Sequence, residues 1–125
     1  MIDFKNAQYL KMKQVDNSSF AAVVTPLLIP QEQITSTYKT IRDGVVFTNK
    51  RIIAINVQGL TGTKKDFTSL PYSKISAYSV ETAGTFDLDS ELEMWFSGLG
   101  KVKFEFKSNA NVAEICRLIS TYTLK

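Results

Sequence analysis

The stretch ELEMWFSGLGKVKFEFK, Glu91–Lys107, decides the fold. In its first half Leu92, Met94 and Phe96 alternate with Glu91, Glu93 and Trp95. In an extended chain that alternation sends one set to each face. The second half repeats it: Val102, Phe104 and Phe106 on one side, Lys101, Lys103, Glu105 and Lys107 on the other. A tight loop at Gly98–Gly100 returns the chain and keeps both apolar sets on the same side. The segment reads as an antiparallel hairpin with a buried face and a charged face. Lys103 and Lys107 fall within diagonal reach of Glu93 and its neighbours.

Working towards the N-terminus, further strands follow, and the alternation recurs in ITSTYKTIR. ISAYSVET, KDFTSL, RIIAINV, VVFT and ITSTYKTIR each read as a strand, rich in β-branched residues. Asp43-Gly44, Asn49-Lys50 and the glycines of GLTGTKK supply turns, and Pro71 stops a strand. The count is seven successive strands, with no helix between any two. A parallel βαβ sheet is therefore excluded. Towards the C-terminus, Asn111 and Glu114 form a capping-box pattern. Val112, Ile115, Cys116, Ile119 and Tyr122 then mark one helical face.

The region before Gln31 reads as helical. Asp3 is a suitable N-cap, with Phe4, Ala7 and Leu10 on one face. Asp16, Asn17 or Ser18 can cap a second helix whose Phe20, Val23, Val24, Leu27 and Leu28 keep helical spacing. Pro26 keeps that helix short or kinks it. The expected architecture is a mainly β, α+β fold. A bent seven-stranded antiparallel barrel or sandwich spans 31–125, closed by the C-terminal helix, with an N-terminal helical extension over 1–30.

Composition narrows the chemistry. The chain has 125 residues, enough for one domain with a real core. Its net charge of +3 comes from scattered lysines rather than a polybasic run, so nucleic-acid binding is not indicated. There is no histidine, which removes the commonest general base and transition-metal ligand. Cys116 is the only cysteine, so no intrachain disulfide forms. The N-terminus lacks an apolar signal core, and FAAVVTPLLIP is too short to span a bilayer. A cytoplasmic protein with no transmembrane segment is expected.

Four segments, in order, resemble the bacterial pleckstrin-homology (PH) domain family: RDGVVFTNKRI, QGLTGTKK, LPYSKI and VETAGTFDLDSEL. The resemblance covers roughly residues 31–124. It implies a seven-stranded, strongly bent antiparallel sheet capped by a C-terminal helix. It also implies self-association, since family members form homo-oligomeric rings. It implies no enzymatic reaction and no agreed ligand. Eukaryotic namesakes bind phosphoinositides through basic residues near the first strands, but a shared fold does not transfer a function.

Two groups of residues remain as candidates. The acidic stretch Glu81–Glu93 fails as a calcium loop: with Asp87, Asp89 and Glu91 at positions 1, 3 and 5, Leu92 and Gly98 stand where glycine and glutamate are needed. It reads instead as a turn and a solvated strand face, with Glu91, Glu93 and Trp95 the candidate surface for another subunit. The basic residues Lys39, Arg42, Lys50, Arg51, Lys64 and Lys65 sit on the first strands and turns, and are the candidate anion site. The aromatics of KVKFEFK read as core rather than as a nucleic-acid stacking platform, and Cys116 as a buried hydrophobe. No catalytic residue, metal or cofactor is expected. The expectation is a non-enzymatic binding or scaffolding domain whose partners are other copies of itself and an unidentified protein. The alternative is a weak binder of anionic lipid or phosphate through its basic loops.

Overall fold

The computed structural model describes residues 1–108 and 110–124. Eight strands form one sheet: β1 (Tyr9–Val15), β2 (Ile34–Lys39), β3 (Gly44–Thr48), β4 (Arg51–Gln58), β5 (Lys64–Pro71), β6 (Ile75–Glu81), β7 (Ser90–Phe96) and β8 (Gly100–Phe106). Two helices accompany them, α1 (Ala21–Val24) and α2 (Val112–Thr123). The spatial order is β5-β4-β3-β2-β1-β8-β7-β6. Strands β2–β5 form one antiparallel meander and β6–β8 another. The sheet folds over so that both meanders share one core, lined by Phe47, Ile52, Leu70, Leu92, Met94, Phe104 and Phe106.

Strand β1 corrects two expectations. The sheet has eight strands rather than seven, and it is not wholly antiparallel. β1 runs antiparallel to β2 and parallel to β8, so it joins the two meanders. A helix expected over residues 3–14 is instead a short turn followed by this strand. The helix expectation rested on Phe4, Ala7 and Leu10, but Phe4 and Ala7 precede the strand and Leu10 is exposed on it, and the strand itself hides its alternation behind a bulge. Tyr9 pairs with Phe104 and Met12 with Phe106, so three steps along β1 match two along β8. Lys11, with φ of 51°, absorbs the extra residue as a bulge. The bulge puts the buried residues Tyr9 and Met12 three apart, which is helical spacing. The Lys11 N–H that the bulge displaces donates to Glu105 Oε1 at 3.1 Å. Inside, the Tyr9 ring meets Phe104 edge-on at 5.5 Å, and Tyr38 meets Phe106 at 4.8 Å. Such pairs contribute about 0.5–1.5 kcal/mol each beyond simple burial.

The second expected helix breaks up. Asp16 caps a 3₁₀ turn at Asn17–Ser19 by accepting the Ser18 N–H at 2.9 Å. The four-residue α1 follows, then another 3₁₀ turn at Thr25–Leu27 that contains Pro26. A helical extension over 1–30 therefore does not form. These turns lie on the outer face of β3–β5, where Phe20 and Val24 make a second small core with Val46, Ile53 and Ile55. This explains the continuous apolar runs of β3 and β4: both faces are covered.

At the far end, the Asn111 side chain accepts the Glu114 N–H at 3.1 Å and starts α2. Val112, Ile115 and Ile119 are buried along it. The Tyr122 ring stacks on Tyr72 at 5.6 Å, and the Tyr78 and Ser120 hydroxyls meet at 2.7 Å. α2 thus closes the end of the barrel beside β6.

Gly44 fixes how the helical turns sit. A Cβ there would collide with the end of the Phe20 ring and lie 3.0 Å from the Tyr38 carbonyl oxygen. Gly44→Ala is expected to cost about 1–3 kcal/mol through overpacking. Urea denaturation checks this, and Gly44→Ala combined with Phe20→Ala should lose less than the sum of the two single changes.

Candidate functional site

The outer face of β6–β8 carries the acidic residues. Glu91, Glu93 and Trp95 lie opposite Glu105, Lys103 and Lys101 on β8. Leu92, Met94 and Phe96 point into the core, as the alternation requires. Lys103 Nζ reaches Glu91 Oε1 at 3.1 Å, and Lys101 Nζ reaches Glu93 Oε1 at 3.9 Å. The hydrogen bond and charge of Glu91 hold the Lys103 ammonium above its ordinary value. Lys107, by contrast, makes a backbone bond to Met12. Asp89 accepts from Lys11 Nζ at 2.9 Å and so anchors the bulged strand. Asp87 closes its own turn by accepting the Asp89 N–H at 3.0 Å. Glu91, Glu93 and Asp89 are thus matched to lysines rather than aimed at one another.

Trp95 stands out on this face, with 53% of its surface exposed. It borders a groove of about 950 Å³ between the N-terminal segment and the β7–β8 hairpin. Leu10, Leu99, Lys5, Lys101 and Lys103 share its walls. The groove was not legible in the sequence, because residues 3–14 read there as helix.

The basic residues separate into two places. Thr48 and Arg51 flank the β3–β4 turn, which carries Lys50 at one end of the sheet. Lys39, Arg42, Lys64 and Lys65 lie at the other end: Lys39 ends β2, Arg42 sits in the β2–β3 turn, and Lys64 and Lys65 begin β5. Arg51 is committed internally. Its Nε and Nη2 donate to Glu32 Oε2 and Oε1 at 2.9 and 3.0 Å, and Nη2 also donates to the Leu27 carbonyl at 2.8 Å. Its Nη1 donates to Ser69 Oγ at 2.9 Å. The Glu32 side chain is 0% exposed and also accepts the Thr48 hydroxyl at 2.7 Å and the Ile29 N–H at 3.1 Å. Burial pushes the Glu32 carboxyl up, but these hydrogen bonds outweigh it and hold the group below the usual carboxylate range. The pair therefore staples the helical turns to the β3–β4 hairpin. No local pattern marks Glu32, 19 residues away in sequence, as the partner.

At the other end, Arg42 Nη2 donates to the Gly59 carbonyl and ties the two loops together. Asp43 reinforces this by accepting the Val57 N–H at 2.7 Å. Lys65 Nζ donates to the Gly62 carbonyl at 2.8 Å. Lys39 lies 6.0 Å above the Phe20 ring and directly opposite Lys13 in register. Ile41 and Leu60 crown the two loop tips, 93% and fully exposed. Both were visible in the sequence as apolar residues inside turn motifs, TIRDG and GLTG, and sequence reasoning passed over them.

A depressed Glu32 pKa stabilises the fold above the unfolded-chain value of about 4.3, and that contribution disappears as pH falls through the lower folded value. Glu32→Gln is expected to cost about 1.5–3 kcal/mol at neutral pH, as for lost charged hydrogen bonds. Thermal melts from pH 7 to pH 2.5 should show the gap between the two proteins closing as the solution becomes acidic.

The comparisons with known proteins agree with this architecture. The family model described as bacterial PH domain matches residues 3–123. The uncharacterized protein YjqA of Bacillus subtilis (strain 168) is 45% identical over 96 residues, covering 75% of this chain and 77% of that one. The crystal structure of a DUF1696 family protein with a pleckstrin-homology domain from Shewanella loihica PV-4 superposes with a TM-score of 0.80 at 40% identity, covering 92% of this chain and 99% of that one. A pleckstrin homology domain from Shewanella amazonensis SB2B gives 0.67 at 41% identity, covering 96% and 94%. The eight-stranded sheet closed by a C-terminal helix is thus a PH-like fold, and the chain belongs to the bacterial PH domain family.

Proposed function

We propose that this protein is a non-enzymatic binding module that works through protein–protein contacts, with copies of itself among its partners. The observation that carries the reading is Trp95. It is a large aromatic, half exposed, near the hairpin end of β7 on a sheet face edged by a groove. Tryptophan in that setting is an effective interface anchor. Glu93 and Glu91 share its face of β7, and their lysine pairs are exposed and add little to the stability of the fold. A non-catalytic role fits the absence of histidine from the sequence and the lysine-matched carboxylates. An intracellular setting fits the single free thiol of Cys116. Light scattering across a range of concentrations tests the self-association. A species well above the 14.0 kDa chain mass is expected, and Trp95→Ala should shift it towards that mass while circular dichroism stays unchanged. A clean wild-type monomer at every concentration contradicts the reading.

A second reading rests on the loop tips. Ile41 and Leu60 expose apolar side chains among Lys39, Arg42, Lys64 and Lys65. Lys13 and Lys39 face one another across the ladder, a like-charge pair that an anion would relieve. Apolar tips ringed by cations fit an anionic bilayer surface. Among the described residues no helix is long and apolar enough to cross a membrane, so contact would be made by these tips. Co-sedimentation with phosphatidylglycerol vesicles, and not with phosphatidylcholine vesicles, is expected. The joint change Ile41→Ser and Leu60→Ser should weaken it severalfold, while equal and negligible sedimentation with both lipids contradicts this reading.

A further inference from the structure

Strand β8 is paired unevenly along its two edges. β7 accompanies it from Gly100 to Phe106. β1 accompanies it only from Phe104 onward, with Tyr9 opposite Phe104 and Met12 opposite Phe106. Among the described residues, Gly100–Lys103 therefore has a strand on one side only. Residues 1–8 do not fill the other side. They turn away, with the Asn6 and Ala7 N–H groups bonding to the Asp3 carbonyl at 3.2 and 2.7 Å. The Ile2 N–H then crosses to Thr68 Oγ1 on β5 at 3.0 Å. Among the described residues no backbone hydrogen bond joins 1–8 to 100–103. What lies beside this half-strand is the groove of about 950 Å³.

The register says which groups are open. The Lys107 N–H donates to the Met12 carbonyl, so odd-numbered residues of β8 turn their backbone towards β1. Alternate residues of a strand share an edge, which directs the N–H groups of Lys101 and Lys103 into the groove. Unpaired strand edges are templates for another extended chain. We propose that this edge accepts strand addition, and that the groove holds an extended segment of a partner protein in which apolar residues alternate with carboxylates.

The side chains select that pattern. Residues of an added strand that point outward would stand beside Lys101 and Lys103, where opposite charge is favourable. Lys5 adds a third cation to the lining. Asp3 is the only acid there, and its carboxylate is occupied by the Lys5 N–H at 3.1 Å and Asn6 Nδ2 at 2.6 Å. Lys101 and Lys103 already face Glu93 and Glu91, but each ammonium has three donors, enough for a second carboxylate to share. Residues pointing inward would meet Phe4, Ala7 and Leu99, with Trp95 and Leu10 at the margin. Main-chain bonds would give affinity and the alternating side chains specificity. The inference does not require the protein to assemble with itself.

The test uses the whole chain, labelled with nitrogen-15, and three short capped peptides. One alternates valine with glutamate, one alternates valine with lysine, and one is the glutamate peptide with alternate main-chain nitrogens methylated. The glutamate peptide should shift the Lys101 and Lys103 amide resonances, change Trp95 fluorescence, and bind about tenfold or more tighter than the lysine peptide. Methylation should abolish binding, and Lys101→Glu with Lys103→Glu should reverse the charge preference. Should that variant not fold, the comparison of the three peptides on the wild-type protein decides. Equal affinity for all three, shifts confined to other strands, or no binding at millimolar peptide overturns the proposal. So does slowing of Lys101 and Lys103 amide exchange with rising protein concentration and no peptide, because a second copy would then occupy the edge.

Discussion

The position of β1 between β2 and β8 is the constraint on which the rest depends. Without it the β2–β5 and β6–β8 meanders would each end in an open edge. With it they form one sheet around one core. The bulge at Lys11 makes this junction workable. It lets β1 bury Tyr9 and Met12 while changing from a parallel neighbour to an antiparallel one. Glu105 takes the displaced Lys11 N–H, and Asp89 holds the Lys11 ammonium. The Tyr9 hydroxyl donates across the core to the Ile55 carbonyl at 3.2 Å and ties the junction to β4. Burial, reinforced by nearby Asp43 and Asp66, pushes that hydroxyl well above its ordinary value, so it remains a neutral donor.

The same junction shapes the surfaces available for binding. Because β1 pairs with β8 only from Phe104 onward, the start of β8 keeps an open edge beside Trp95. Because the helical turns cover the outer face of β3–β5, that half of the molecule presents loop tips rather than a sheet face. The two halves therefore offer different chemistry. One has an aromatic and an open strand edge, with ion pairs around them. The other has apolar tips among cations.

Much of the fold was legible, and the exceptions have causes. Strands β2–β8 announce themselves through turn residues together with either period-two alternation, as in Leu92–Phe96, or a short apolar run bounded by turns, as in β3 and β4. The Asn111 cap likewise marks α2. β1 escaped because the helical spacing of Phe4, Ala7 and Leu10 runs into its start, while the bulge between Tyr9 and Met12 removes the period-two alternation that would mark a strand. Fewer of the site's features could be read. The outward placement of Glu91, Glu93 and Trp95 follows from register alone. The internal use of Arg51 does not, since Glu32 is 19 residues away in sequence and becomes its neighbour only when the helical turns dock. The open edge of β8 depends on where a different strand begins, and no local pattern records that.

The most direct measurement is amide hydrogen exchange across Tyr9–Val15, compared with β3 and β8. A strand that joins the two meanders should exchange as slowly as its neighbours, through global unfolding. Exchange of the whole segment within seconds, while β3 and β8 remain protected, would mean that β1 is a loosely attached arm and would contradict the account.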